Sequence, residues 1–195
     1  MGAGDFPAGL DELIAKRVEE LVAQKLEERL AQMKPKGPPS MAIIATKGTL
    51  DWAYPPFILA TTAAAMGLDV TMFFTFYGLT LLKKKLDLKI STLGNPAMEM
   101  PMFGMHIGMP NLVSAIPGVD AAATTMMKNL IKKKGVASIE ELRTMAVEAD
   151  VKMIACQMTM DLFEYSRDDM IDGPVLGGAA TYIETATKSD INLFI

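Results

Sequence analysis

The stretch MAIIATKGTLDWAYPPFILATTAAAMGLDVTMFFTF, residues 41–76, decides the fold. It opens with a short apolar run, MAIIAT (41–46), closed by the turn residues of KGT. A run this short and this apolar reads as a strand buried on both faces of a sheet. Residues Asp51 to Met66 follow as a helix, with Gly67 placed as its C-cap. DVTMFFTF (69–76) is rich in β-branched and aromatic residues, the composition of a second strand. Strand, helix and strand in such close succession form the repeating unit of a parallel sheet.

The alternation continues. YGLTLLKKKL reads as a second short helix, and GVDAAATTMMKNLIKKKG (118–135) as a helix ended by Gly135. SIEELRTMAVEAD (138–150) opens with Ser138 and has Glu141 three residues later, the capping-box spacing. VKMIAC (151–156) is a third strand, TMDLFEYS starts a helix, GGAATYIETATKS (177–189) is another, and INLFI is a last strand. Residues 41–195 therefore predict one α/β domain, a three-layer parallel sheet with helices on both faces. Sheets of this kind carry ligands and reactive groups at the carboxyl ends of their strands. Three junctions qualify: KGTLDWAYPP, TFYG and CQMTMD.

A separate element precedes this domain. Residues 1–33 form an amphipathic helix, with Leu10, Leu13, Ile14, Val18, Leu21, Val22, Leu26, Leu30 and Met33 spaced by threes and fours. KPKGPPS (34–40) is a linker by composition, with three prolines, one glycine and no apolar residue. The helix cannot bury its stripe alone, and pairing with the same helix of another subunit, in coiled-coil fashion, is the expectation. Its charged, periodic character is unlike the apolar core of a signal peptide.

Composition excludes several classes of function. The chain has 195 residues, 50% hydrophobic and 22% charged, with a net charge of −4. That balance argues against a nucleic-acid partner, which usually meets a basic excess. The lysine runs at 83–85 and 132–134 read as solvated helix ends. Trp52 to Leu68 carries no charge, but it holds Pro55 and Pro56 and small rather than bulky residues at its centre. It reads as a buried core helix, not a membrane span. One cysteine and one histidine cannot build a zinc site, and no glycine-rich phosphate motif follows a strand, so no metal or cofactor is expected.

The single cysteine, Cys156, has two readings. Free cysteines are often buried small residues. Yet Cys156 sits where a strand gives way to a helix, and free backbone N–H groups there stabilise an anion and draw a thiol towards thiolate. The lone histidine, His106, falls in a loop without an orienting partner, so a Cys–His hydrolase or acyltransferase is disfavoured. Intrachain dithiol exchange needs a second cysteine that the chain lacks. Beside the first strand, Lys47, Gly48 and Thr49 could hold an anion with backbone amides, or could be an ordinary strand–helix connection. The stretch GNPAMEMPMFGMHIGMPNL (94–112) gathers Met98, Met100, Met102, Met105 and Met109. It reads either as an adaptable contact surface or lid, with Asn95, Met98, Met100 and Met102 at its heart, or as a loop packed in a subunit interface.

The run from 41 to 79, LGNPAMEMP, IPGVDAAATTMMK, ACQMTMD and IDGPVLGGAATYIE occur in order across residues 41–195. Together they resemble the DsrE/DsrF/DsrH-like family, in its single-domain branch with long methionine-rich loops. The resemblance implies a DsrE-type α/β domain that self-associates, commonly as a trimer or hexamer, in the cytoplasm. It implies a sulfur carrier or sulfurtransferase whose cysteine, at the strand-to-helix junction, accepts sulfur as persulfide or S-thiosulfonate. That position is Cys156 here. Gln157 and Thr159, beside it in the sequence, are candidate cargo contacts from their place alone. Implied partners are a TusA-like sulfur carrier and a rhodanese-like protein. Some relatives hold a second cysteine along the same helix, and QMTMDLFEYSRDD has none, which leaves a one-cysteine carrier. The alternative is a non-catalytic oligomeric module of the same fold, in which the leading helix and the methionine-rich loop do the work.

Overall fold

Strand β1 (Ser40–Ala45) pairs in parallel with β2 (Asp69–Phe74) on one side and β7 (Ile191–Phe194) on the other. The computed structural model describes residues 10–33, 37–91, 99–102, 105–108 and 118–195. Beyond β2 lie β5 (Lys152–Cys156) and β6 (Val175–Gly177), giving one five-stranded sheet in the order β6-β5-β2-β1-β7 with every pairing parallel.

Side chains of a strand alternate between the two faces, and the two faces pack differently. Met41, Ile43 and Ala45, with Val70, Met72 and Phe74 and with Met153 and Ala155, form the larger core. They meet Leu50, Ala53, Phe57, Ala60 and Ala63 of α2 (Leu50–Ala65) and Ile139, Leu142 and Ala146 of α4 (Ile139–Glu148). The opposite face presents Ala42, Phe73, Ile154 and Cys156 to Tyr182 of α6 (Ala179–Ala186). Tyr182 stacks on Phe73 with ring centroids 5.3 Å apart. Three layers result, with α2 and α4 on one side and α6 on the other. The helix α4 starts on the expected capping box: the Ser138 hydroxyl accepts the Glu141 N–H at 3.2 Å, and Glu141 accepts the Ser138 N–H at 2.7 Å. The helix α3 (Val119–Lys133) ends on Lys132 and Lys133, both exposed, as the lysine run suggests.

Three segments differ from the sequence-based expectation. YGLTLLKKKL forms a 3-10 helix over Phe76–Leu82. Its tight course follows from close packing at two glycines. A Cβ on Gly78 would run into the Ala45 carbonyl, and one on Gly48 into the Thr80 hydroxyl and the Tyr77 carbonyl. Strand β6 was not anticipated, because VLG is too short to show a period between its flanking Gly and Pro. Within the methionine-rich loop, Glu99–Met102 (β3) and Met105–Gly108 (β4) form an antiparallel ribbon, with His106 opposite Pro101.

Residues up to Pro38 form a unit of their own. Its helix α1 (Leu10–Met33) displays Ile14, Val18, Val22, Leu26 and Leu30 on its surface, uncovered by anything else in that unit. These five recur every four residues, and four residues turn the helix by about 400°. The stripe therefore winds around the axis by about 40° per step, a ridge suited to a crossing helix more than to a straight heptad seam.

Arg143 fixes the 3-10 segment to α4. Its side chain is buried and donates from Nη1 to the Leu81 carbonyl at 3.0 Å and the Lys83 carbonyl at 2.7 Å. Replacing it by methionine keeps most of the volume and removes both donors. Each orphaned carbonyl costs about 1–3 kcal/mol, so Arg143→Met should lower the unfolding free energy by roughly 2 kcal/mol or more in urea titrations. A variant as stable as the wild type would contradict this role.

Candidate functional site

The site is built where three neighbouring strands end. Cys156 is the last residue of β5 and also the N-cap of the short helix α5 (Gln157–Leu162). The register pairs Phe74 of β2 with Ala155, so the next residues, Thr75 and Cys156, follow side by side. On the other flank Cys156 pairs with Gly177 of β6, which brings no side chain. Cys156 belongs to the smaller core cluster with Ala42, Phe73, Ile154 and Tyr182 and is only 4% exposed.

Thr159, on the first turn of α5, has no exposed surface. Its hydroxyl accepts the Phe76 N–H at 3.2 Å and lies 3.2 Å from the Thr75 hydroxyl. The backbone of Phe76 itself is left-handed, with φ of 47°. A bulky residue in this region is strained and persists only where its surroundings enforce it. The β2 end and the α5 start are thus locked together immediately beside the cysteine.

Two opposing influences act on the thiol. Burial is the largest and pushes Cys156 up. The Thr159 hydroxyl and N–H, the Thr75 hydroxyl and the Met158 N–H act the other way, and together they outweigh it, so Cys156 is held below the ordinary thiol value. In the thiol form the sulfur closes no capping hydrogen bond. These groups act on the thiolate, whose charge they favour.

The other residues singled out in the sequence fall elsewhere. Gln157 is exposed, and its Nε2 donates to Asp161 Oδ1 at 2.7 Å, an i,i+4 pair on the helix surface. Lys47, Gly48 and Thr49 line a separate groove of about 430 Å³ with Trp52, Tyr77, Thr80 and Ser91. Cys156 is not among its walls. Lys47 places its Nζ 3.1 Å from the centre of the Trp52 ring, and Thr49 stands at the N-cap of α2 with a buried, unpartnered hydroxyl. Gly48 has a packing reason to be glycine, the approach of the 3-10 helix described above. Tyr77 joins the two regions: it lines this groove and also stacks on Phe163, just past α5, at 5.8 Å. Met100 and Met102 lie on β3, while Asn95 and Met98 fall outside the described residues. Sequence reasoning missed Thr75, whose place shows only once β2 and β5 are known to be neighbours. Among the described residues, no group of three or more His, Cys, Asp or Glu is placed to hold a metal ion, and no helix is long and apolar enough to cross a membrane.

A parallel α/β sheet with one enclosed cysteine at a strand-to-helix junction defines the class of protein. The chain belongs to the DsrE/DsrF/DrsH-like family, which matches residues 38–194. It is 61% identical over 155 residues to the sulfur carrier protein DsrE2 of Allochromatium vinosum (strain ATCC 17899), covering 80% of this chain and 97% of that one. It is 33% identical to the protein YrkE of Bacillus subtilis (strain 168), over 78% of this chain and 94% of the relative. Among solved structures, the YchN protein of E. coli aligns with a TM-score of 0.45 and 12% identity, over 80% of this chain and 99% of the other.

Because the folded pKa of Cys156 lies below its unfolded value, ionisation favours the folded state. That contribution is full above the unfolded pKa, about 8.5 for a free cysteine, and fades as pH falls through the folded value. The stability difference between wild type and Cys156→Ser, measured in urea, should therefore widen in favour of the wild type as pH rises through that window. A pH-independent difference would contradict the hydrogen-bonded thiolate.

Proposed function

We propose that the chain is a sulfur carrier that holds sulfane sulfur on Cys156. The observation that carries the reading is the enclosed cysteine at the strand-to-helix junction, held below the ordinary thiol value by its neighbours, on a chain 61% identical to a relative named as a sulfur carrier. A thiolate held in this way is the nucleophile that sulfur exchange requires. In loading, the Cys156 thiolate attacks the outer sulfur of a donor persulfide. A bond forms between Sγ and that sulfur, the donor's S–S bond breaks, and the donor leaves as its own thiolate.

Four percent exposure favours a compact cargo, a single added sulfur, over a bulkier S-thiosulfonate. With one cysteine in the chain, no internal disulfide can displace the cargo, so it leaves to another molecule. TusA-like and rhodanese-like proteins are the partners in this scheme, and the cytoplasm is its setting. Exposed Phe76, Tyr77, Met158 and Leu162 surround the junction and supply apolar surface for such contacts. A second reading, an oligomeric module, is favoured by the uncovered apolar ridge of α1. The two are compatible if α1 joins subunits that each carry sulfur.

Intact-mass spectrometry after incubation with polysulfide or tetrathionate tests the proposal. The wild type should gain one sulfur atom from polysulfide more readily than an S-thiosulfonate from tetrathionate, and Cys156→Ser should gain nothing. A wild type left unmodified by both donors would sink the carrier reading and leave the oligomeric one.

A further inference from the structure

We infer that Thr75 and Thr159 form a positioning pair whose hydroxyls stabilise the Cys156 sulfur as it becomes the leaving group in sulfur release. The release step rests on the carrier reading above, whereas the effect of the hydroxyls on the thiol does not depend on it.

The hydroxyl of Thr159 is unusual among the helical threonines of this chain. Thr61, Thr124, Thr125 and Thr144 each donate to the carbonyl four residues earlier, at 2.8, 2.7, 2.9 and 3.0 Å. That is the common resting place for a helical hydroxyl. Thr159 instead reaches out of its helix to the end of β2, where it accepts from Phe76 N–H and meets Thr75. A threonine oxygen has one proton to give and two lone pairs. With one lone pair taken by Phe76, the proton of Thr159 is directed to Thr75 or to the sulfur. Two hydroxyl protons thus serve three acceptors: Thr75 Oγ1, Thr159 Oγ1 and Cys156 Sγ.

Charge on the sulfur decides how those protons are shared. When Sγ is neutral, bonded to a cargo sulfur, the two threonines bond to each other. When Sγ becomes an anion, the hydroxyl protons shared between Thr75 and Thr159, beside it at the ends of β2 and β5, favour the charge. Donors already in place where charge develops favour the step that creates it. In release, an acceptor thiolate attacks the outer sulfur of Cys156–S–SH. The acceptor's S–S bond forms, the Sγ–S bond breaks with its electron pair passing to Sγ, and the proton stays on the transferred sulfur. A better-stabilised thiolate leaves faster.

Few ionisable groups compete. Tyr182 of α6 packs in the same cluster, and burial raises its phenol above the ordinary value, which keeps it neutral. On α5 the charged side chain is Asp161, exposed and bonded to Gln157. Beyond β2 the titratable neighbour is Tyr77, exposed and stacked on Phe163. Phe73 of β2 and Gly177 of β6 carry no charge.

Wild type, Thr159→Val, Thr159→Ser and Thr75→Val test the pair in the full chain with two readouts. The first is the pH profile of iodoacetamide alkylation. The second is thiocyanate release when cyanide strips sulfur from polysulfide-loaded protein. In Thr159→Val the alkylation profile should move to higher pH, with a rate at neutral pH lower by about threefold or more, and thiocyanate release should slow in parallel. Thr159→Ser restores the hydroxyl and should return both readouts towards wild type, while Thr75→Val should shift both in the same direction as Thr159→Val. A folded Thr159→Val with the wild-type profile overturns the inference. So does a Thr159→Ser as impaired as the valine variant, since that marks a packing role. If the wild type takes up no sulfur from polysulfide, the carrier reading fails, and the alkylation profile alone still decides whether the hydroxyls act on the thiol.

Discussion

The parallel pairing of β2 with β5 is the constraint on which the site depends. Because Phe74 lies opposite Ala155, the chain leaves both strands at the same level, and Thr75 arrives beside Cys156. A slip of one residue would turn every side chain of β5 to the other face. Cys156 would then enter the larger core in place of Met153 and Ala155, away from Tyr182 and from the donors of α5. The register is held by burial on both faces, since β2 is buried from Val70 to Phe74. Packing energy spent on the sheet therefore also sets the distances at the thiol.

The environment of Cys156 combines enclosure with a small number of donors. Apolar neighbours lower the local dielectric, which penalises the anion but also strengthens each hydrogen bond made to it. At the surface the same hydroxyls would compete with water and have little effect. Here Phe73 and Tyr182 close one side, and the strained turn at Phe76 supplies the N–H that orients Thr159. The strain and the burial belong to one arrangement, since the left-handed residue holds the acceptor that leaves the threonine proton free for sulfur.

Much of this was legible in the sequence. MAIIAT, DVTMFFTF, VKMIAC and INLFI read as strands because each is a short apolar run bounded by turn residues, and the Ser138–Glu141 spacing marked the start of α4. Cys156 stood out for the same reason, as the last residue of such a run. What could not be read depends on contacts between distant segments. Thr75 is an unremarkable strand-end residue until β5 is placed next to β2. Gly48, within KGT, suggested an anion cradle, yet its missing side chain is explained by the approach of Thr80 and Tyr77. VLG had too few residues to display any period, and the short 3-10 course of FYGLTLL reflects Gly78 against β1 rather than local propensity.

The helix α6 carries the chain from β6, at one edge of the sheet, to β7 at the other, crossing the face that holds Cys156. The closing strand is tied to the first by bonds across some 150 residues: Asp190 Oδ2 accepts the Ser40 N–H at 2.7 Å, and the Ile195 carbonyl accepts the Thr46 N–H at 2.8 Å. During synthesis on the ribosome β1 is made early, while its second neighbour comes more than a hundred residues later. Until then β1 presents an unpaired, apolar edge open to strands of other nascent chains. Such long-range closure is slow compared with local helix formation, so the interval before β7 docks is when this protein is most exposed to misassembly and most in need of a chaperone.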